Sequence, residues 1–403
     1  MLRGSPIAST LSDVRFSDAA SLHLVDDAAL LFDSAAQRLY AANQSSAFIW
    51  CCLEDGLSTA DTASRLSDTF GVLRSAADDF VRDAVEQWAA LGLMHDPAAA
   101  PGAPSTRPKA SDDWRERVTG AFRVHSARTY RLLDTCVRIR FASADAEYAL
   151  HPFLESLADA PVAGEEPVVL DVREHGTQRA LCHAGRVIER WVDKDELVPV
   201  AKIALVTLAL ERSTDFGALH AAAVARRPGG PCVLVVGPSG SGKSTLTAAL
   251  AARGFVALGD DTIALARDGF AARPVPFGIC VKDGAWDLLG ARVPALGGQP
   301  VHRRLDGKIV RYVVPERKFE RDARFPVKAV VFPRRSPGVE PCLARLGRSD
   351  ALRGLLAEFC PLGEPLTAAE VDGLARWACA IDGYEMRYAE LDDGIRLIRE
   401  ILS

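Results

Sequence analysis

Val233-Leu-Val-Val-Gly237-Pro-Ser-Gly-Ser-Gly-Lys-Ser244 is the stretch that decides how this chain folds. Its four leading residues are continuously apolar and mostly β-branched, the pattern of a central strand buried on both faces. The next eight fit G-x-x-x-x-G-K-[ST] without a departure, directly after a strand and at the start of a helical pattern. Gly237, Gly240 and Gly242 let the backbone curl so that successive N–H groups converge on phosphate oxygens, with Pro238, Ser239 and Ser241 completing the loop. Lys243 supplies a point charge to the β- and γ-phosphates, Ser244 a hydroxyl to Mg²⁺, and the helix that continues through Thr245 its positive end. The expected cofactors are therefore ATP and Mg²⁺.

Downstream, Leu246 and Leu250 lie one turn apart and Arg253-Gly254 ends the helix. Phe255-Val-Ala-Leu258 then reads as a second strand, parallel to the first because a short helix has carried the chain back. Ligands of open α/β sheets sit where strands finish. This strand finishes in Gly259-Asp260-Asp261, with Asp260 17 positions beyond Lys243. One carboxylate suits Mg²⁺ and the other suits a proton from an attacking hydroxyl. Upstream, Gly217-Ala-Leu-His220-Ala-Ala-Ala-Val-Ala225 reads as a strand turned back by Arg226-Arg-Pro-Gly-Gly-Pro231. Antiparallel pairing of Ala225 with Cys232 sets His220 opposite Gly237, where it orients Asp260 or touches the γ-phosphate.

His220 in a strand, the Gly237–Ser244 loop and Asp260-Asp261 after an Arg-Gly helix end together resemble the HPr kinase/phosphorylase family, over roughly residues 215–335. The resemblance implies Mg-ATP-dependent phosphorylation of a serine hydroxyl on a protein, and relatives of the family phosphorylate precursor peptides. It assigns Asp260 as general base, Asp261 to the metal or nucleotide, His220 as orienter, and Lys243 and Ser244 to phosphate and Mg²⁺. Thr245 stands where better-known members carry an acidic residue, and no match to the loop of the phosphorolytic reaction is found, so kinase is expected rather than phosphorylase.

Before residue 96, three short apolar runs (Leu22–Val25, Ala29–Phe32, Arg38–Ala41) separated by acidic turns predict a small antiparallel sheet. Three helices follow. The first starts near Gln44, the second is capped by Ser58 and ends at Phe70-Gly71, and the third runs from about Ser75 to Leu91-Gly92 with Val81, Val85 and Trp88 in one stripe. Residues 12–95 resemble the PqqD family of peptide chaperones through Leu31-Phe32-Asp33, Leu39-Tyr40, Asn43, Ala47-Phe48-Ile49-Trp50, Asp55-Gly56 and Leu91-Gly92-Leu93. The resemblance implies a winged-helix-like module that binds the leader of a precursor peptide as an extra strand on its sheet edge. Arg38, Leu39 and Tyr40 on the edge and Val81 and Val85 on the helix are the corresponding contacts. A purely structural docking domain is the competing reading.

The expected organisation is thus α/β: a PqqD-like module at 12–95, a Pro/Ala-rich linker at 96–113, an accessory α/β region at 114–213, and an HPr-kinase-like P-loop domain with a mixed sheet at 214–403. Within 114–213, strands at Val137–Phe141 and Val168–Val172 and a helix at about Val198–Glu211, apolar nearly all round, suggest no chemistry of their own. Residues 301–328 carry nine Lys/Arg against four Asp/Glu. Lys282, Arg303 and Arg311 are the candidate contacts to nucleotide phosphates or an acidic peptide; a solvated basic surface explains the same cluster. The segment from Ser349 onward reads as helical and structural.

Length and charge frame these readings. The 403 residues, 48% hydrophobic and 25% charged, suit two or three domains. The net charge of −5 argues against nucleic acid or an anionic membrane as partner. It is unevenly spread: residues 1–100 hold 6 basic and 14 acidic side chains, leaving +3 for the rest. Nine scattered cysteines without a Cys-x-x-Cys spacing give neither a zinc site nor a disulfide framework, and neither a signal core nor an apolar span is evident, so a reduced, cytoplasmic setting is expected. The function expected is an ATP-dependent kinase acting on a Ser or Thr hydroxyl of a precursor peptide, or of a small carrier protein, with oligomerisation possible. The alternatives are a P-loop kinase of a small metabolite and a non-catalytic, ATP-gated peptide chaperone. A transporter-type ATPase is excluded, because the nearest Leu-Gly-Gly-Gln stretch lies only 53 residues beyond Lys243 and no apolar strand ending in Asp-Glu follows it.

Overall fold

The computed structural model describes residues 15–25, 28–95, 123–160, 164–316, 319–320 and 322–403. It is mixed α/β, with ten α-helices among the described residues. They fall into two units. One comprises the described residues up to His95 together with Gly347–Leu356 and Pro365–Ala380; the other runs from Arg123 to Leu346 and takes in Ala357–Glu364 and Ile381–Ser403. The expected linker at 96–113 lies outside the described residues.

In the first unit, Ala20–Val25, Ala28–Asp33 and Arg38–Ala42 form an antiparallel sheet in chain order. The Asp33 carboxylate accepts from the N–H groups of Ala35 and Ala36, both at 3.0 Å, which sets the second turn. Helices Gln44–Glu54, Thr59–Phe70 and Arg74–Ala90 follow. Ser58 caps the second by accepting from Asp61 N–H at 3.1 Å, and Gly71, at φ 66°, ends it in the left-handed conformation that a glycine adopts without strain. Ala29 and Leu31 meet these helices in a core centred on Trp50, whose ring packs edge-on against Trp88 at 5.1 Å.

Strand side chains alternate between faces, so Leu30 and Phe32 point the other way. Both are fully buried. Their cover comes from far along the chain: helices Arg348–Leu356 and Ala368–Ala380 pack on this sheet. His23 Nδ1 meets Asp372 Oδ1 at 2.7 Å, and Leu366 N–H donates to Gln37 Oε1. This corrects the expected domain at 214–403. A three-stranded sheet with apolar residues on both faces needs two layers over it, and the sequence near the N-terminus provides only one.

The second unit is built on a six-stranded sheet in the order Val256–Gly259, Ala221–Ala225, Cys232–Val236, Val327–Arg335, Asp382–Tyr388, Cys342–Arg345. Cys232–Val236 is wholly buried and pairs parallel with Val327–Arg335 on one side and antiparallel with Ala221–Ala225 on the other. Ala222 and Val224 pack with Leu246, Ala249 and Leu250 of helix Lys243–Ala252, and the small alanine side chains let that helix lie close to the sheet. Val256–Gly259 does run in the direction of Cys232–Val236, but the two are not neighbours; Ala221–Ala225 lies between them, antiparallel to both. Residues expected as accessory form a five-stranded sheet from Ser126–Leu132 to Arg186–Trp191, with helices Ala144–Leu154 and Leu197–Glu211 in its core. All nine cysteines are free thiols. Among the described residues no helix is long and apolar enough to cross a membrane.

The two-sided burial of residues 29–33 is testable. Phe32→Ala is expected to cost about 3–5 kcal/mol in denaturant unfolding, whereas Leu24→Ala, at a side chain 56% exposed, should cost no more than about 0.5 kcal/mol.

Candidate phosphate-loop site

Ala221 pairs with Val236 and Ala225 with Cys232, the expected register to the residue. The segment expected as one strand is broken at His220. Gly217–Leu219 belongs to a separate four-stranded sheet, and His220 N–H donates to Glu358 O at 2.8 Å at the junction. This break turns the imidazole toward the phosphate loop.

In the loop itself, Gly240 and Gly242 have φ values of 94° and 92°, so each would be strained with a side chain. A Cβ on Gly237 would stand 3.3 Å from Ser241 Oγ, tighter than ordinary contact. Ser241 Oγ is buried without a hydrogen-bond partner among the described residues, as is the hydroxyl of Tyr388, which lies 3.8 Å from where a Gly242 Cβ would be. Lys243 is buried; its ammonium donates to Gly237 O, to Pro238 O at 3.3 Å and to His220 Nε2 at 3.3 Å. Burial pulls its pKa below the ordinary lysine value. Because an ammonium only donates, Nε2 of His220 accepts in this contact, and Nδ1 carries the hydrogen given to Asp261 O at 2.9 Å.

Opposite the loop stand the two carboxylates. Asp260 is 3% exposed and its Oδ2 accepts from Cys280 N–H at 2.7 Å. Asp261 is 46% exposed, with Oδ1 3.3 Å from His220 Nδ1. His220 thus reaches Asp261 and Lys243 rather than Asp260, which corrects its expected part as orienter of Asp260. Lys202 Nζ lies 3.6 Å from Asp260 Oδ1 and 3.5 Å from Asp261 Oδ2. Partial burial raises the Asp261 pKa, but the Lys202 charge, the His220 Nδ1–H and the Arg304 charge outweigh it and hold the carboxyl below its usual range. Burial likewise works against the Lys202 charge, and the two carboxylates more than reverse that.

One cavity of about 260 Å³ is lined by His220, by Ser239, Gly240 and Gly242 to Thr245 of the loop, and by both carboxylates, Cys280, Lys282 and Arg304. Lys282 Nζ donates to Ser239 Oγ at 3.3 Å. Arg303 and Arg311 are elsewhere: Arg303 faces Asp193 at 3.5 Å, and Arg311 stacks on Trp286 at 4.2 Å while donating to Leu296 O. Arg304 occupies the place expected of Arg303, since neighbours in an extended chain face opposite ways and their parity was not readable. The basic residues 317, 318 and 321 lie outside the described residues. Lys202 was also missed, although a lone lysine within an apolar helix is a signal visible in the sequence.

The cavity's donor set fits a polyphosphate. An ammonium, a helix N-terminus, left-handed glycines and the Ser244 and Thr245 hydroxyls face it together. Among the described residues no group of three or more His, Cys, Asp or Glu gathers as a metal cage. A Mg²⁺ held through phosphates needs only one or two carboxylates from protein, and half-exposed Asp261, which lines the same cavity as Ser244, meets that need.

In the first unit, Arg38–Ala42 is an edge strand among the described residues, paired there only with Ala28–Asp33. Arg38 is exposed and Leu39 and Tyr40 are half-buried there. Val81 and Val85 are buried in the unit's own core, and this corrects their expected part in leader contact: the stripe they form packs inward and presents nothing to a ligand.

No protein-family model matches the chain, and no curated protein matches it. Solved structures similar to part of it include one described as TbiB1 in complex with the TbiA(beta) leader peptide, 21% identical over 22% of this chain and 99% of that one, with a TM-score of 0.20. Another, described as lasso peptide synthetase B1 complexed with the leader peptide, is 25% identical over 21% of this chain and 98% of that one, also with a TM-score of 0.20.

The geometry separates the basic residues by effect. Loss of a charge-assisted contact costs about 1.5–3 kcal/mol, so Lys243→Met is expected to weaken tripolyphosphate binding roughly tenfold or more, measured by calorimetry. Arg303→Met should change it less than about twofold.

Proposed function

We propose that the second unit is an ATP-dependent phosphotransferase and that its acceptor is a Ser or Thr hydroxyl on a precursor peptide whose leader binds the first unit. The observation that carries the catalytic part is the convergence of Lys243, the glycine loop, His220 and the Asp260–Asp261 pair on one cavity. A loop that only held a nucleotide would not need a buried carboxylate fixed by a backbone N–H at its mouth.

The roles follow from the contacts. Lys243 and the N–H groups from Gly240 onward hold the polyphosphate, and Ser244 and Asp261 are the residues that would hold Mg²⁺. The nucleotide supplies the phosphoryl group. Asp260 takes the acceptor proton as the hydroxyl oxygen bonds to the terminal phosphorus and the bond to the leaving nucleoside diphosphate breaks. Its Oδ2 is fixed by Cys280 N–H, so the carboxylate meets the hydroxyl in one orientation. Lys282 and Arg304 add positive charge where the transferring group spreads its own.

The peptide half of the reading rests on the sequence resemblance of residues 12–95 to PqqD domains and on the outer side of Arg38–Ala42, which has no strand partner among the described residues. An added strand takes its affinity from backbone hydrogen bonds and its selectivity from alternate side chains. Carrying binder and catalyst on one chain raises the local acceptor concentration toward the mM range.

Incubation with Mg-ATP and the short peptide encoded beside this gene tests the proposal by mass spectrometry. A gain of about 80 Da, the mass of one added phosphoryl group, is expected, and Asp260→Asn should slow it by roughly 10²–10⁴-fold. ATP turnover without any modified peptide would point to a small-metabolite kinase, and undiminished function of Asp260→Asn to an ATP-gated chaperone. Separately, hydrogen exchange should show the amides of residues 38–42 protected by added leader; protection confined to other segments would discard the edge-strand reading.

A further inference from the structure

Helix Leu197–Glu211 has the residues Val198, Lys202, Leu205 and Ala209 on one face, and all four are buried. Lys202 is 7% exposed on that core face, while Ile203, beside it, is 55% exposed. The arrangement inverts ordinary amphipathicity, since an ammonium is rarely buried unless it is paired. Its partners are the carboxylates of consecutive residues, Asp260 at 3.6 Å and Asp261 at 3.5 Å. The ring of Tyr312 packs alongside, 5.8 Å from Nζ to its centroid. A group that only filled space under a sheet would be apolar, as its neighbours on the helix are.

We infer that Lys202 is a positioning residue for the carboxylate pair, bridging Asp260 and Asp261 so that the site takes a divalent cation only together with a polyphosphate. The inference rests on the phosphate-loop reading of this cavity. Two adjacent carboxylates at the mouth of an anion-binding loop would by themselves attract a divalent cation. Lys202 offsets one of the two negative charges and stands 3.5 Å from the Asp261 oxygen that such a cation would approach. Like charges that close repel strongly in a partly dehydrated site. A polyphosphate brings enough negative charge of its own to overcome the repulsion, so cation and nucleotide enter as one. The same bridge holds the two carboxylates at fixed spacing while His220 and Cys280 N–H hold their other oxygens.

Mn²⁺ is the probe, its binding to the full chain followed by electron paramagnetic resonance with and without ATP. Wild type is expected to bind Mn²⁺ weakly alone and at least roughly tenfold more tightly with ATP. Lys202→Met should tighten nucleotide-free binding by roughly tenfold or more and lower the phosphotransfer rate. Lys202→Arg should restore the dependence on ATP. Lys202→Gln, which keeps a donor but loses the charge, serves if the methionine variant does not fold and should likewise bind Mn²⁺ without nucleotide. Unchanged or weaker nucleotide-free binding in the neutral variants overturns the inference, because a merely structural lysine would lower stability without tightening the cation site. If wild type transfers no phosphate to any acceptor, the functional proposal fails, while the Mn²⁺ comparison still decides the part played by Lys202.

Discussion

The antiparallel pairing of Ala221–Ala225 with Cys232–Val236 is the constraint from which the site is built. It places the start of one strand beside the end of the other, so His220 and Gly237 meet at one edge of the sheet. Val256–Gly259 pairs on the far side of the same alanine strand and brings Asp260 and Asp261 to that edge as well. A shift by one residue would turn every side chain of the strand to the opposite face. With five buried residues on each of the two paired strands, on both faces, such a slip would exchange large and small side chains between two packed layers, at about 1–3 kcal/mol for each misfit. The hydrophobic interior thus sets the register, and the register sets the chemistry.

Charge at this edge is balanced locally. Lys243 is satisfied by loop carbonyls and His220, and Lys202 by the carboxylate pair. Both ammonium groups are buried, and both would be costly without these partners. The site contains preorganised donors on one wall and anchored acceptors on the other. That is the arrangement the proposed phosphoryl transfer calls for. The first unit has a different character. Helices Arg348–Leu356 and Ala368–Ala380 add Arg348, Arg353 and Arg376 against Asp350, Glu370 and Asp372, so they cover the sheet without changing its acidic balance.

Much of this was legible in the residues. The Gly-x-x-x-x-Gly-Lys-Ser spacing, the Asp-Asp pair after a short strand and the turn Arg226–Pro231 lie within 45 consecutive positions, and local rules of strand, turn and helix govern them. The register of Ala225 with Cys232 followed from the turn alone. The caps at Ser58 and Gly71 and the strand–helix order of the first unit were likewise local. What misled was parity and depth. Val81 and Val85 form an apolar stripe, but a stripe does not say whether it faces core or ligand, and it faces core. Arg303 and Arg304 are neighbours, and only the backbone direction tells which enters the cavity.

Local pattern therefore determined the phosphate loop, the carboxylates and the hairpin that joins them, because each depends on backbone conformations that a few residues dictate. Tertiary structure decided which distant segments complete them. Lys202 reaches the carboxylates from a helix nearly 60 residues upstream, and the cover for Leu30 and Phe32 comes from beyond residue 346. Neither contact has a short-range signature. A buried charge and an uncovered apolar face each state that a partner is needed, and only the packing of the whole chain states which one it is.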